Sequence, residues 1–198
     1  MPNWCENKFE VSGDAQAVGQ AVAAVKGCES LFATVAPMPA ELEDVSLGWD
    51  AETRSKVWRG SPTGPQPVDA DELAGLRRRY GTASWLEWAT REWGTKWDVP
   101  VDHLSPVGEC GWSMDTAWAP PLGFYTKFAQ HFQVTVTAVW FESGMCFAGR
   151  GVWGPDGSAR VDDVELPFGV PDGFDDDEVE GEAWFDAVTQ AWYDENFM

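Results

Sequence analysis

Polar and apolar residues alternate along residues 4–11, with Cys5, Phe9 and Val11 on one side and Trp4, Glu6, Lys8 and Glu10 on the other. That period of two predicts a half-buried first strand. Past a turn at Gly13 the period lengthens. Asp14 is placed to cap a helix whose Ala15, Val18, Val22 and Val25 form one stripe, closed by Lys26 and Gly27. Residues 31–35 are short and apolar, and Pro37-Met38-Pro39 breaks any regular element. Residues 46–68 carry Gly48, Gly60, Pro62, Gly64, Pro65 and Pro67 with no clear period, and predict a long, mobile or variable loop.

Two short helices follow. Asp69 with Glu72 resembles a capping box, Leu73, Leu76 and Tyr80 make the apolar stripe, and Arg77, Arg78 and Arg79 suit the negative end before Gly81. Ser84 with Glu87 repeats the capping pattern, and Trp85, Trp88 and Trp93 decorate a second helix that ends at Gly94. Residues 96–101 predict a strand, and Pro106 and Gly108 a loop. Residues 111–118 predict another strand, with Trp112, Met114, Thr116 and Trp118 sharing one face. Pro120 and Pro121 start a helix with Leu122, Tyr125, Ala129 and Phe132 as its stripe. Residues 134–141 alternate β-formers on both faces. Turns at Ser143-Gly144 and Pro155-Asp156-Gly157 introduce strands over 145–152 and 160–166, the first containing Gly149-Arg150-Gly151, which suggests a bulge.

The order β-α-(insert)-β-β-α-β with appended strands predicts an α+β, ferredoxin-like antiparallel sheet with helices on one face. It spans residues 1–166, with 46–92 as a loop-plus-helix insertion. Residues 167–198 form a separate acidic appendage, a linker followed by an amphipathic helix striped by Trp184, Ala187, Val188, Ala191 and Trp192.

Charge sharpens the functional picture. The 198 residues carry 33 acids against 13 bases, a net −20, so a phosphate backbone repels this chain and a basic protein surface attracts it. Fourteen of those acids and one base, Arg160, lie in residues 156–198. Strong charge also keeps a chain with 13 Trp soluble. Most of those indoles are expected in the core, and a few at a recognition surface.

Catalytic chemistry is harder to assemble. Cys5, Cys28, Cys110 and Cys146 are scattered without metal-ligand spacing, so neither a metal nor another cofactor is expected. The first residues lack a basic segment followed by an apolar run, and no apolar stretch is long enough for a membrane span, which suits a reduced, cytoplasmic protein. His103 beside Asp102, with Cys110 seven residues on, is one candidate acid–base or nucleophilic group. Asp98 and Asp115 are another, as paired carboxylates; the structural alternative is that one accepts an indole N–H or binds Lys96.

The segments MPNWC, YGTASWLEWATREWGTKWD and DTAWAPP followed by a helix resemble the phage- and plasmid-borne YubB-like, or Api-type, family of uncharacterised proteins with a ferredoxin-like domain. The resemblance covers residues 1–154, interrupted at 46–68, and its motif residues are Trp4, Trp93, Gly94, Lys96, Trp97, Asp98, Asp115, Trp118, Pro120 and Pro121. It implies a ferredoxin-like fold, residence on mobile genetic elements in a bacterial host and no established enzymatic activity. It supplies no catalytic residue, and the acidic tail lies outside it.

Three functional expectations from different classes stand in order. The first is a non-catalytic inhibitor of a host nucleic-acid-binding defence complex, of anti-CRISPR or anti-restriction type, presenting DNA-mimicking carboxylates to the basic surface of a CRISPR effector or nuclease. Its contacts would be Asp162, Asp163, Glu165, Asp172, Asp175, Asp176, Asp177, Glu178, Glu180 and Glu182, since carboxylates and phosphates are both acceptor-only anions matched to Arg and Lys. The second is a protein-interaction module anchored by Trp49, Trp58, Trp184 or Trp192. An enzyme using the Asp98/Asp115 or His103/Cys110 region ranks third.

Overall fold

The computed structural model describes residues 3–48, 56–60, 66–142, 144–145 and 147–164. The chain divides into two units, Met1–Asp163 and Val164–Met198. The expected linker and C-terminal helix lie outside the described residues.

Strand β1 (Trp4–Ser12) is the middle of the architecture, and its alternating burial follows its alternating sequence. A six-stranded antiparallel sheet forms around it in the order β5-β6-β1-β7-β8-β9, where β5 is Ser105–Val107, β6 Gly111–Ala117, β7 Thr135–Glu142, β8 Phe147–Trp153 and β9 Ala159–Val164. The register places Phe9 opposite both Trp112 and Ala138. Helices α1 (Ala15–Gly27) and α4 (Leu122–Phe132) supply core residues against β1: Ala21 and Val25 from the first, Phe124, Tyr125, Phe128 and Ala129 from the second. Phe9 stands amid the rings of Trp112, Phe124, Tyr125 and Phe128 at centroid distances of 5.3–6.3 Å, within the range where aromatic pairs add to simple burial.

The helix ends follow their capping residues. Asp14 accepts from the N–H groups of Gln16 and Ala17, and Asp69 from those of Asp71 and Glu72, opening α2 (Ala70–Tyr80). Gly81 ends α2 in the left-handed conformation, at φ 73. The reciprocal half of the expected box is absent, because the Glu72 carboxylate instead pairs with Arg59. Ser84 precedes α3 (Trp85–Glu92) without a side-chain cap.

Several expectations are corrected. Where 46–68 was expected to be a loop, three short strands, β2 (Val45–Gly48), β3 (Lys56–Arg59) and β4 (Gln66–Pro67), form a small antiparallel sheet. Arg59 ties this sheet to Asp44 at 2.6 Å and to Glu72 at 2.5 Å, links that no local period reveals. Residues 96–101 are not a strand. The Asp98 carboxylate there collects hydrogen bonds that a ladder would otherwise spread along the backbone, and Pro100 has no N–H to give. The strand lies later, at β5, where Pro106 is tolerated because β5 is the sheet edge. Gly149 and Gly151 make no bulge: β8 pairs with β7 in unbroken register, Gly149 opposite Trp140. A side chain at Gly149 would overlap the Trp140 indole, so its absence makes room for a ring.

Candidate functional site

The two Trp-rich segments meet face to face. At the end of α3, Gly94 has φ +95, and a Cβ there would come within 2.8 Å of the Leu122 nitrogen and 3.1 Å of the Pro120 oxygen. A Cβ on Gly123 would lie 2.6 Å from the Glu92 oxygen. Glycine at both positions lets the start of α4 dock on the end of α3. The Phe124 N–H donates to the Trp93 carbonyl at 3.0 Å, and Lys127 Nζ donates to the Glu92 carbonyl at 2.8 Å. Trp93 itself is buried, donates its indole N–H to the Ala36 carbonyl and packs edge-on to Trp88.

This junction aims three other indoles outward. Trp4 is 49% exposed, Trp97 40% and Trp118 46%. Trp118 was expected to continue the strand face of Trp112, Met114 and Thr116, but the strand ends at Ala117 and Trp118 takes φ 71, a left-handed conformation uncommon for so bulky a residue. The turn is held by bonds on three consecutive residues. Thr95 Oγ1 donates to the Ala117 carbonyl at 2.7 Å, the Trp118 N–H to the Asn3 carbonyl at 2.9 Å, and Thr116 Oγ1 to the Ala119 carbonyl at 2.8 Å. Backbone strain of this kind costs about 1–3 kcal/mol and persists where surrounding contacts over-determine it. Pro120 and Pro121 then deliver the chain into α4, as expected, with Pro121 as its N-cap residue.

Lys96 lies between two of these rings and within reach of a third, Trp85. Its Nζ is 4.4 Å from the Trp97 centroid, 4.4 Å from the Trp118 centroid and 5.9 Å from that of Trp85, all within cation–π reach. Trp85 is fixed by its indole N–H, which donates to Ser46 Oγ at 2.8 Å. The Trp4 ring stands 6.1 Å from Trp97, extending the aromatic surface onto β1. One position along the sheet, Glu6 lies directly opposite Asp115 on the outer face that Trp4 shares. Burial raises the Asp115 carboxyl above its ordinary pKa.

The other candidates separate. Asp98 accepts from Ser30 Oγ at 2.8 Å and from the N–H groups of Phe32 at 2.7 Å, Ala33 at 3.0 Å and Val99 at 2.7 Å. It organises the chain crossing at residues 30–33, whereas Asp115 sits in β6 beside Glu6; indole N–H groups of Trp85 and Trp93 go to Ser46 and Ala36 instead. His103 is exposed before β5 and Cys110 follows the turn at its far end, so a strand of about 10 Å stands between them. Among the described residues, no group of three His, Cys, Asp or Glu is arranged to hold a metal ion.

Of the acidic contacts, Asp162 is engaged by Arg150 at 3.6 Å and Arg160 at 3.2 Å. The Asp163 side chain, Glu165, Asp172, Asp175, Asp176, Asp177, Glu178, Glu180 and Glu182 lie outside the described residues, as do Trp49, Trp184, Trp192 and the Trp58 side chain. Sequence reasoning missed the grouping of Trp4, Trp97, Trp118 and Lys96 as a surface. The one available signal was Trp4 on the polar side of the first strand. No helix among the described residues is long and apolar enough to cross a membrane.

No protein-family model and no curated protein matches the chain. Among solved structures it is similar to the crystal structure of a protein api92 from Yersinia pseudotuberculosis, at 10% identity and a TM-score of 0.45, over 85% of this chain and 100% of that one.

Proposed function

We propose that this chain is a non-catalytic binding protein that engages a protein partner through Trp4, Trp97 and Trp118. The observation that carries this reading is a run of three half-exposed indoles, Trp97 and Trp118 on either side of one lysine and Trp4 beside Trp97, with Trp118 held in a strained backbone conformation. Exposed tryptophans on a rigid frame are the residues most often found to dominate binding energy at protein interfaces. A core has no use for them there.

The strand order β5-β6-β1-β7, with α1 and α4 in the connections, supports the ferredoxin-like topology as the frame. Membership of the Api-type family and residence on a mobile genetic element rest on the Trp motifs. Cytoplasmic residence in a bacterial host is part of the same reading.

A second reading has its own observation, the fourteen acids and single base of residues 156–198. On that reading the tail competes with nucleic acid for a basic groove of a CRISPR effector or nuclease. The two ion pairs at Asp162 weaken the contribution of that residue.

One comparison separates them. Proteins retained from a bacterial lysate by the wild type are compared with those retained by Trp4→Ala/Trp118→Ala, at about 0.1 M and about 0.5 M NaCl, after circular dichroism has established that the variant folds. The indole reading expects a species that survives the salt and is lost with the rings. Retention that ignores the rings, collapses in salt and disappears when Asp175, Asp176, Asp177 and Glu178 become Asn or Gln assigns binding to the tail instead.

A further inference from the structure

We infer that the ring cluster is a receptor for a cationic side chain, lysine or arginine, of the partner, and that Lys96 occupies it as a built-in stand-in until the partner arrives. The inference rests on the indole reading above and names the chemistry that the surface takes.

A lysine on a strongly acidic molecule has many carboxylates to choose from, and an exposed ammonium ordinarily stays in water. Here the Nζ is held by three indole faces, two of them at 4.4 Å. Indole is the strongest cation–π partner among the side chains, and a set of aromatic faces around one ammonium is the arrangement that recognises alkylammonium ligands. The chain thus displays, with its own lysine, the geometry in which a foreign one would sit.

The cradle is also built in advance. The Trp118 turn is fixed by Thr95, Asn3 and Thr116, and Trp85 by Ser46, while the Trp97 ring leans on that of Trp4, so each wall has a support other than Lys96. Lys96 arrives on a flexible four-carbon stem, and among the described residues the contacts it gives up on swinging out are those with the rings. A partner cation then exchanges with it ring for ring, and the released ammonium returns to water. The charge of the molecule favours the incoming side chain: a net −20 attracts a basic partner, and Glu6 with Asp115 places carboxylates on the same face as Trp4.

An aromatic or sugar ligand stacking on the indoles would use Lys96 differently, as a hydrogen-bond donor, and would bind worse without it. The two ideas therefore predict opposite effects of removing the lysine.

The test uses the full chain and tetramethylammonium chloride as probe, with NaCl at matched ionic strength as control. Indole N–H resonances of Trp97 and Trp118 and total tryptophan fluorescence report binding. Lys96→Gln, with Lys96→Met as a second variant that keeps the aliphatic stem, is expected to bind the probe about tenfold more tightly than the wild type, the size of one vacated cation–π contact. Trp118→Ala combined with either change should abolish that gain. Equal or weaker probe binding by both lysine variants overturns the inference, as does a gain that survives Trp118→Ala. Should the lysine variants fail this test while the lysate partner still depends on Trp4 and Trp118, the indole surface stands and only its cationic ligand is wrong. A gain in probe affinity with no ring-dependent partner would have the reverse meaning.

Discussion

At residue scale, Cys5 shows how the core sets chemistry. Its thiol is fully buried in β1, and burial first and the nearby Glu142 carboxylate second push its pKa from 9.0 up to about 12. Glu142 is itself buried and accepts from the N–H groups of Gly144 at 2.8 Å and Met145 at 2.5 Å. Above pH 9.0 the unfolded thiol ionises while the folded one keeps its proton, so the stability Cys5 contributes is complete below that pH and is lost as pH rises toward 12. Wild type should therefore lose stability above pH 9 faster than Cys5→Ala does, by about 1.4 kcal/mol per pH unit. Urea titrations at pH 8 and pH 10.5 measure this, and parallel slopes for the two proteins would refute it. Asn7 completes the neighbourhood, donating to Thr116 Oγ1 at 2.9 Å, while Thr116 serves the Trp118 turn. A buried polar pair thus supports the conformation of an exposed indole.

Among the elements, the crossing at residues 30–33 and 98–101 replaces an expected strand. Leu31 donates to the Val99 carbonyl at 2.8 Å and Val101 to the Glu29 carbonyl at 3.0 Å, with Ser30 and Pro100 forming an isolated bridge. Asp98 closes the arrangement by accepting four donors, three of them backbone N–H groups. Asp98→Ala should cost about 2–3 kcal/mol, because it leaves those donors without an acceptor. Asp115→Ala, where the residue is open to solvent and its carboxylate only partly desolvated, should cost less than about 0.5 kcal/mol. Denaturant midpoints of the two variants decide the matter. Equal effects would mean that Asp98 is no more structural than its former partner in the paired-carboxylate idea.

Over the whole molecule, charge dominates. Net −20 on 198 residues makes the compact state repel itself, and fixed ion pairs such as Arg59 with Asp44 and Glu72 offset only part of this. Screening should relieve the repulsion, so the melting temperature should rise when NaCl is increased from about 10 mM to about 0.5 M. A falling melting temperature in that series would show that the ion pairs outweigh the excess of acids. The same charge steers basic partners toward the protein whichever surface they finally touch.

Local chemistry was readable from the chain alone. The alternation of β1, the Asp14 and Asp69 caps, the stop at Gly81 and the turn at Pro155-Asp156-Gly157 all depend on neighbours a few residues away. Burial, hydrogen bonding and allowed φ act there over the distances that a short window covers. The duty of Asp98 toward Phe32, the room that Gly149 leaves for Trp140, the exit of Trp118 from its strand and the rings around Lys96 each join segments far apart in sequence. Those contacts exist only once β1 has paired with β6 and β7 and α3 has docked on α4, so tertiary structure alone decided which tryptophans fill the core and which reach the surface.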